Sequence, residues 1–312
     1  MRSTIWNTAI FAFEPTDFDP AKIQFDAPLR LFHARHFRTA RRHTHTLADP
    51  FLFVKNGRLH LFVEVKNTFE PGKIKCYVTD DLQHWDDLGV VLEADFHLSY
   101  PFVFEHEGEV YMMPESEANR EIALYRATDF PRCWQKEKVI LEGAFNDSSL
   151  IFNENRWWLF TSKGYDELHI FHSDSPFGAW AAVPPPPPRP PEGEAETPPS
   201  GGRGAILASI SHGRNGGGPF RWHGQLLRAA QDCSAVYGGG LHLRRIEKLT
   251  PTEYLEADFR ADVLPPKSWW NRRGGHHFNC CEFLGKTIVA VDGKADDFLL
   301  NRLSGLIFRL LK

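Results

Sequence analysis

The chain has 312 residues, 42% hydrophobic and 24% charged, with a formal net charge of −4. That supplies ample core material, and the acidic balance argues against a dedicated nucleic-acid binder, because no basic tract dominates. The five cysteines include no Cys-x-x-Cys, so neither a disulfide framework nor a zinc site follows from spacing, and no apolar run of about 18 residues is present to span a membrane.

Residues 1–47 read as a closing strand and loop. Their start, Met1-Arg-Ser-Thr-Ile-Trp-Asn7, lacks the apolar core of a signal peptide, so a cytoplasmic location is expected. Arg38, Arg41 and Arg42 form the densest basic cluster and read as a solvated loop.

From there a repeat begins. Asp49-Pro-Phe-Leu-Phe-Val-Lys-Asn-Gly-Arg-Leu-His-Leu-Phe-Val-Glu64 is echoed by Tyr100-Pro-Phe-Val-Phe-Glu-His-Glu-Gly-Glu-Val-Tyr-Met-Met-Pro-Glu115. A third copy is Asp147-Ser-Ser-Leu-Ile-Phe-Asn-Glu-Asn-Arg-Trp-Trp-Leu-Phe-Thr-Ser162. Each has two period-2 apolar runs around a Gly or Asn turn, the pattern of a β-hairpin. A second phrase ending in Trp85, Trp134 or Trp180 follows each hairpin and makes four strands per repeat. The tryptophans are 49 and 46 residues apart, the period of a propeller blade. Weaker copies run from Phe220 to Tyr254 and from Phe278 to Asp292. The expectation is an all-β fold, a five-bladed propeller of four-stranded antiparallel blades over residues 48–297.

Two segments depart from the repeat. Residues 183–218 hold Pro184-Pro-Pro-Pro-Pro-Arg-Pro-Pro191 and a Gly/Ser-rich stretch, and read as a disordered insertion between blades three and four. Residues 298–312 carry Leu299, Leu303, Leu306, Ile307 and Leu310 at helical spacing and read as a short C-terminal amphipathic helix.

In a propeller the innermost strand starts, and the next strand ends, at the mouth of the central channel. This places Asp49, Tyr100, Asp147, His276 and His277 at strand-one starts, and Glu64, Glu115, Ser162, Asp232 and Asp292 at strand-two ends. Converging acids can flank a glycosidic bond as general base or nucleophile and as general acid, and crowding raises the pKa of at least one. Asp at strand starts also caps turns, the reading given to Asp80, Asp129 and Asp174. The least repeat-like segment, Gln231-Asp-Cys-Ser-Ala-Val-Tyr-Gly-Gly-Gly240, places Gln231, Asp232 and Tyr237 near the pocket. His276 and His277 are expected to hydrogen-bond a sugar or the backbone, with no metal and no cofactor.

Ala48-Asp-Pro-Phe-Leu-Phe53, His97-Leu-Ser-Tyr-Pro-Phe-Val-Phe104, Met113-Pro-Glu-Ser116, Phe171-His-Ser-Asp-Ser-Pro-Phe-Gly-Ala-Trp180 and Arg228-Ala-Ala-Gln-Asp-Cys-Ser234 resemble a known propeller domain. It stands at the N-terminus of plant glucosamine inositolphosphorylceramide transferases and beside formyltransferase-like domains in bacterial proteins. More distantly the blades resemble the five-bladed furanosidase and fructosidase superfamily. That resemblance implies Asp49 as base or nucleophile and Asp147 as the acid that tunes pKa, and it leaves the third acid without a clear counterpart; Glu115 is the candidate.

Three functions follow as expectations. The first is a glycan- or glycolipid-headgroup-binding propeller, accessory to a glycosyltransferase-type enzyme and its transferase domain. The second is a furanosidase-type glycoside hydrolase using Asp49, Asp147 and Glu115. The third is a protein-interaction scaffold. In the first, Glu64, Tyr100, Gln231, Asp232, Tyr237, His276 and His277 belong to the binding set.

Overall fold

The computed structural model describes residues 4–36, 38–39, 42–186, 204–266 and 268–297, with backbone alone at 38–39 and 42–43. It is a five-bladed propeller of antiparallel sheets. Blade one comprises Thr46–Lys55, Arg58–Lys66, Lys73–Thr79 and Asp86–Leu92. Blade two comprises Ser99–His106, Glu109–Glu115, Glu121–Asp129 and Cys133–Glu142. Blade three is Asn146–Asn153, Arg156–Lys163, Glu167–Ser173 and Ala181–Ala182, with Leu207–Ala208 paired to its third strand. Blade four is Phe220–Trp222, Gln225–Asp232, Gly240–Thr250 and Glu253–Arg260. Blade five is Phe278–Phe283 and Lys286–Asp296, completed by Thr4–Phe13 and Arg30–Phe32 from the other end of the chain.

Both faces of a blade are covered by its neighbours, so a strand near the channel is apolar on both. In Arg58–Lys66, Leu59, Leu61, Val63 and Val65 pack with Ile10, Ile288 and Ala290 of blade five. Phe62, on the opposite face, packs with Val103, Val110 and Met112 of blade two. The same division recurs round the ring, giving one apolar cluster between each pair of successive blades. Closure is made by the ladder from Thr4↔Asp296 to Phe13↔Thr287.

Of the disordered insertion expected over 183–218, the structure describes 183–186 and 204–218, and there the chain is packed. Val183 is buried and its N–H donates to Ile170 O, and from Gly204 onward the chain packs on blades three and four. Ile206 is buried, and Asn215 bridges Ala230 to extend the inner edge of blade four. Glycines that suggest flexibility in sequence are here demanded by packing. Gly217 has φ +139°, and a Cβ there would sit 1.9 Å from Phe278 O. The helix expected over 298–312 lies outside the described residues.

Phe62 bridges two blades with no exposed surface. Phe62→Ala is expected to cost about 3–5 kcal/mol, read as a lower midpoint in urea unfolding.

Candidate functional site

The hairpin turns set the register of the site. They lie between Lys55 and Arg58, His106 and Glu109, Asn153 and Arg156, Trp222 and Gln225, and Phe283 and Lys286. Counting six residues back from each turn's first flank gives Asp49, Tyr100, Asp147, Gly216 and His277. Counting six forward from its second gives Glu64, Glu115, Ser162, Gln231 and Asp292. These ten positions ring the channel.

At three of them the backbone is left-handed: φ is 52° at Asp49, 45° at Tyr100 and 50° at Asp147. In all three blades the hairpin register shifts at this point, as in a β-bulge. A bulge re-aims the side chain it carries, and a left-handed non-glycine persists only where its surroundings hold it. Here the holding passes from blade to blade. Tyr100 N–H donates to Asp49 Oδ2 at 3.3 Å, Asp49 N–H to Asp292 Oδ2 at 3.2 Å, and Gly217 N–H to the Tyr100 hydroxyl at 2.9 Å.

Above this ring lies a cavity of about 740 Å³ whose lining includes Asp49, Glu64, Glu115, Asp147, Tyr237 and His276. Tyr100, Gln231 and His277 are buried and absent from that lining. Asp232 is elsewhere: one residue past Gln231, it pairs with His242 Nε2 at 3.3 Å and is not among the lining residues. Successive strand residues face opposite ways, so one position separates a channel side chain from an outward one.

The acids divide into two kinds. Asp147 is clamped: its Oδ2 accepts from Arg214 Nε at 2.6 Å and Gln231 Nε2 at 2.9 Å. Asp292, fully buried, accepts both the His276 and His277 backbone N–H groups on Oδ1, and its Oδ2 is 2.6 Å from His276 Nδ1. Among the described residues, Glu115, Glu64 and Asp49 have no cation as close. Burial pushes Glu115 up to about 7, against the Ser99 hydroxyl at 2.5 Å and the Glu117 N–H at 2.7 Å, which favour its charged form. Burial also takes Asp49 to about 7; His276 opposes the rise, and Asp147 and Asp292 add to it. Glu64 is raised well above its ordinary value by burial and then by Asp49.

His97 stands between the two glutamates, with Nε2 3.6 Å from Glu64 Oε1 and 3.9 Å from Glu115 Oε2. Gly72 N–H donates to His97 Nδ1 at 2.9 Å, which leaves the proton of the neutral ring on Nε2, facing the acids. Burial, aided by Lys66, lowers this imidazole to about 4. Gly72 is required by the close approach, since a Cβ would meet the His97 ring at 2.6 Å and Glu64 Oε1 at 2.8 Å. Aromatic rings complete the wall: Trp6 stacks on His276 at 4.1 Å, and Arg214 lies over Tyr237 at 5.3 Å and Tyr165 at 5.5 Å.

Sequence reasoning missed Arg214, His97, Trp6 and Tyr165. Arg214 fell inside the apparent insertion, and Trp6 arrives only because the first strand closes the last blade. His97 had a local signal, two residues before the strand Ser99–His106 and at the head of the motif His97-Leu-Ser-Tyr-Pro-Phe-Val-Phe104.

Fold and site together define a five-bladed propeller with an acid-rich central pocket. Residues 33–294 match the family described as glucosamine inositolphosphorylceramide transferase 1, N-terminal, and the chain belongs to that family. It is 37% identical over 260 residues to glucosamine inositolphosphorylceramide transferase 1 of Oryza sativa subsp. japonica, covering 79% of this chain and 33% of that protein. The Arabidopsis thaliana protein of the same name is 36% identical, covering 79% and 32%. The chain thus spans about a third of these relatives. Among solved structures it resembles an α-L-arabinofuranosidase from Clostridium thermocellum, with TM-score 0.55, 15% identity and coverage of 78% and 80%. It also resembles an α-L-arabinofuranosidase from Podospora anserina, with TM-score 0.53, 11% identity and coverage of 81% and 93%. This is a likeness of fold.

The raised carboxylates fix a pH signature. A folded carboxyl that titrates near 7, against an ordinary 4.5, binds more protons than the unfolded chain, so its contribution is full below pH 4.5 and is lost as pH rises through 7. His97 acts oppositely and only below its ordinary 6.5, so it leaves the alkaline limb alone. Glu115→Gln is therefore expected to raise stability at pH 8 by roughly 1 kcal/mol or more. The gain should shrink toward zero near pH 4.5, as read by urea unfolding across pH.

Proposed function

We propose that this propeller binds a glycan, or the sugar headgroup of a glycolipid, in its central pocket and serves a sugar-modifying enzyme of the glycosyltransferase type as an accessory domain. The observation that carries the reading is the composition of the ring. Asp49, Glu64, Glu115 and Asp147 face one cavity with Arg214, Trp6, Tyr165 and Tyr237. Carboxylates accept hydrogen bonds from hydroxyls, Asp49 and Glu115 near 7 supply donors as well as acceptors, and aromatic faces suit the C–H faces of sugar rings. The cavity volume lies within the about 300–1,000 Å³ of small-molecule sites. The names of the plant relatives point to a glucosamine- and inositol-containing lipid, and the about two-thirds of those proteins outside the match leave room for the enzymatic part.

Hydrolysis is the second reading, favoured by two buried acids, Asp49 and Glu115, that both titrate near 7, one available as base and the other as acid. Against it, Asp147 is clamped by Arg214 and Gln231, and blade four brings only Gly216 and Gln231 to the ring. A channel acid is thus lacking from one side of the pocket.

Calorimetry with glucosamine, myo-inositol and their glycosides distinguishes the readings. Binding of at least one of them is expected, weakened at least tenfold in both Asp49→Asn and Glu115→Gln, with no aryl glycoside hydrolysed. Hydrolysis that Asp49→Asn abolishes would replace this reading by the second. A stoichiometric protein partner in the absence of any sugar binding would replace both.

A further inference from the structure

Asp49, which the sugar reading uses as a hydrogen-bonding group, has further partners at the floor of the pocket. One donor atom from each of Asp49, His276 and Asp292 falls within 4.8 Å of the others, and all three residues are buried. Asp49 Oδ1 is 3.8 Å from His276 Nδ1, and the same oxygen is 3.7 Å from His277 Nδ1. Among the described residues, His277, which has no exposed surface, finds no side-chain hydrogen-bond partner for its ring and has the Pro50 backbone as a neighbour. His276 Nδ1 meets Asp292 Oδ2 at 2.6 Å, a charge-assisted contact that shares a proton. Two buried carboxylates gathered beside two buried imidazoles call for an explanation.

We propose that Asp49, His276 and Asp292 form a binding site for a first-row divalent cation of the zinc or manganese class, with its open side toward the pocket. Donors at about 2.0–2.2 Å from one ion stand about 3–4 Å from each other, and the Asp49 separations already fit. The Asp292–His276 pair needs to open by roughly half an ångström as the ion replaces the proton between them. Imidazole with carboxylate favours this class over calcium, which prefers an all-oxygen shell. Outer contacts of the kind that orient metal ligands are in place. Tyr100 N–H holds Asp49 through Oδ2, two backbone N–H groups hold Asp292 through Oδ1, and Trp6 and Tyr237 fix the His276 ring. The chain positions 49, 276 and 292 have no metal-site spacing, so the expectation of no metal was natural from sequence. The ring brings them together.

The test needs no sugar, so its failure and that of the glycan reading are separable. Protein stripped with chelator is titrated calorimetrically with Zn²⁺, Mn²⁺ and Ca²⁺, and metal content after dialysis is counted by mass spectrometry. About one Zn²⁺ or Mn²⁺ per chain is expected, weakened at least tenfold in Asp49→Asn and in His276→Gln. Asn tolerates left-handed backbone, so Asp49→Asn should fold; circular dichroism checks both variants. Retention of fewer than about half an equivalent by wild-type protein, tighter binding of Ca²⁺ than of Zn²⁺ and Mn²⁺, or unchanged affinity in both folded variants would overturn the assignment.

Discussion

The ladder between Thr4–Phe13 and Lys286–Asp296 is the constraint on which the rest depends. An open row of blades would leave its terminal sheets with uncovered apolar faces and unpaired edges, a liability for any repeat array. Closing the row covers both, and it also fixes a geometry that no single blade contains. Asp49 and Asp292 lie 243 residues apart yet are joined by a hydrogen bond, because blade one follows blade five round the ring. Trp6, carried by the closing strand itself, then reaches the pocket to stack on His276.

A ring that brings acids together must also restrain them. Two are restrained by specific partners. Asp147 has Arg214 and Gln231; Asp292 has backbone N–H groups and His276, which burial disfavours as a cation but which the Asp292 charge keeps raised. For Asp49, Glu64 and Glu115 burial is the leading influence, and it raises all three. A buried carboxyl without a cation in direct contact is pushed toward its neutral form, so burial appears as a raised pKa in place of an ion pair. The clamped acids therefore fix geometry, and the unclamped ones remain able to exchange partners with a ligand.

How much of this was legible follows from what each residue's position depends on. Asp49, Glu64, Glu115 and Asp147 were readable because the hairpin repeat is regular, and residues equidistant from equivalent turns occupy equivalent places. Asp232 was misplaced by one residue, since Gln231 is the position equidistant with Glu64, and in a strand that step reverses the side chain. Arg214 was lost because Gly and Ser composition suggests flexibility, whereas Gly217 is there to let blade four's inner edge touch the Phe278 carbonyl. His97 was visible as a letter but not as a group; its tautomer depends on Gly72, 25 residues earlier, and its neighbours on two different blades.

The segment that looked most dispensable is held by the most deeply buried charge in blade four. Arg228, with no exposed surface, pairs with Glu256 and also donates to His212 O at 2.7 Å and Asn215 Oδ1 at 3.1 Å. Asn215 in turn donates its side-chain amide to Asp147 O and its backbone N–H to Ser162 Oγ. A guanidinium in so dry a place is tolerated only where its donors are matched, and here matching them secures the backbone on either side of Arg214. The buried ion pair thus acts through position: it holds the strap that carries Arg214 to Asp147, and so determines which of the pocket's acids is clamped and which are left to a ligand.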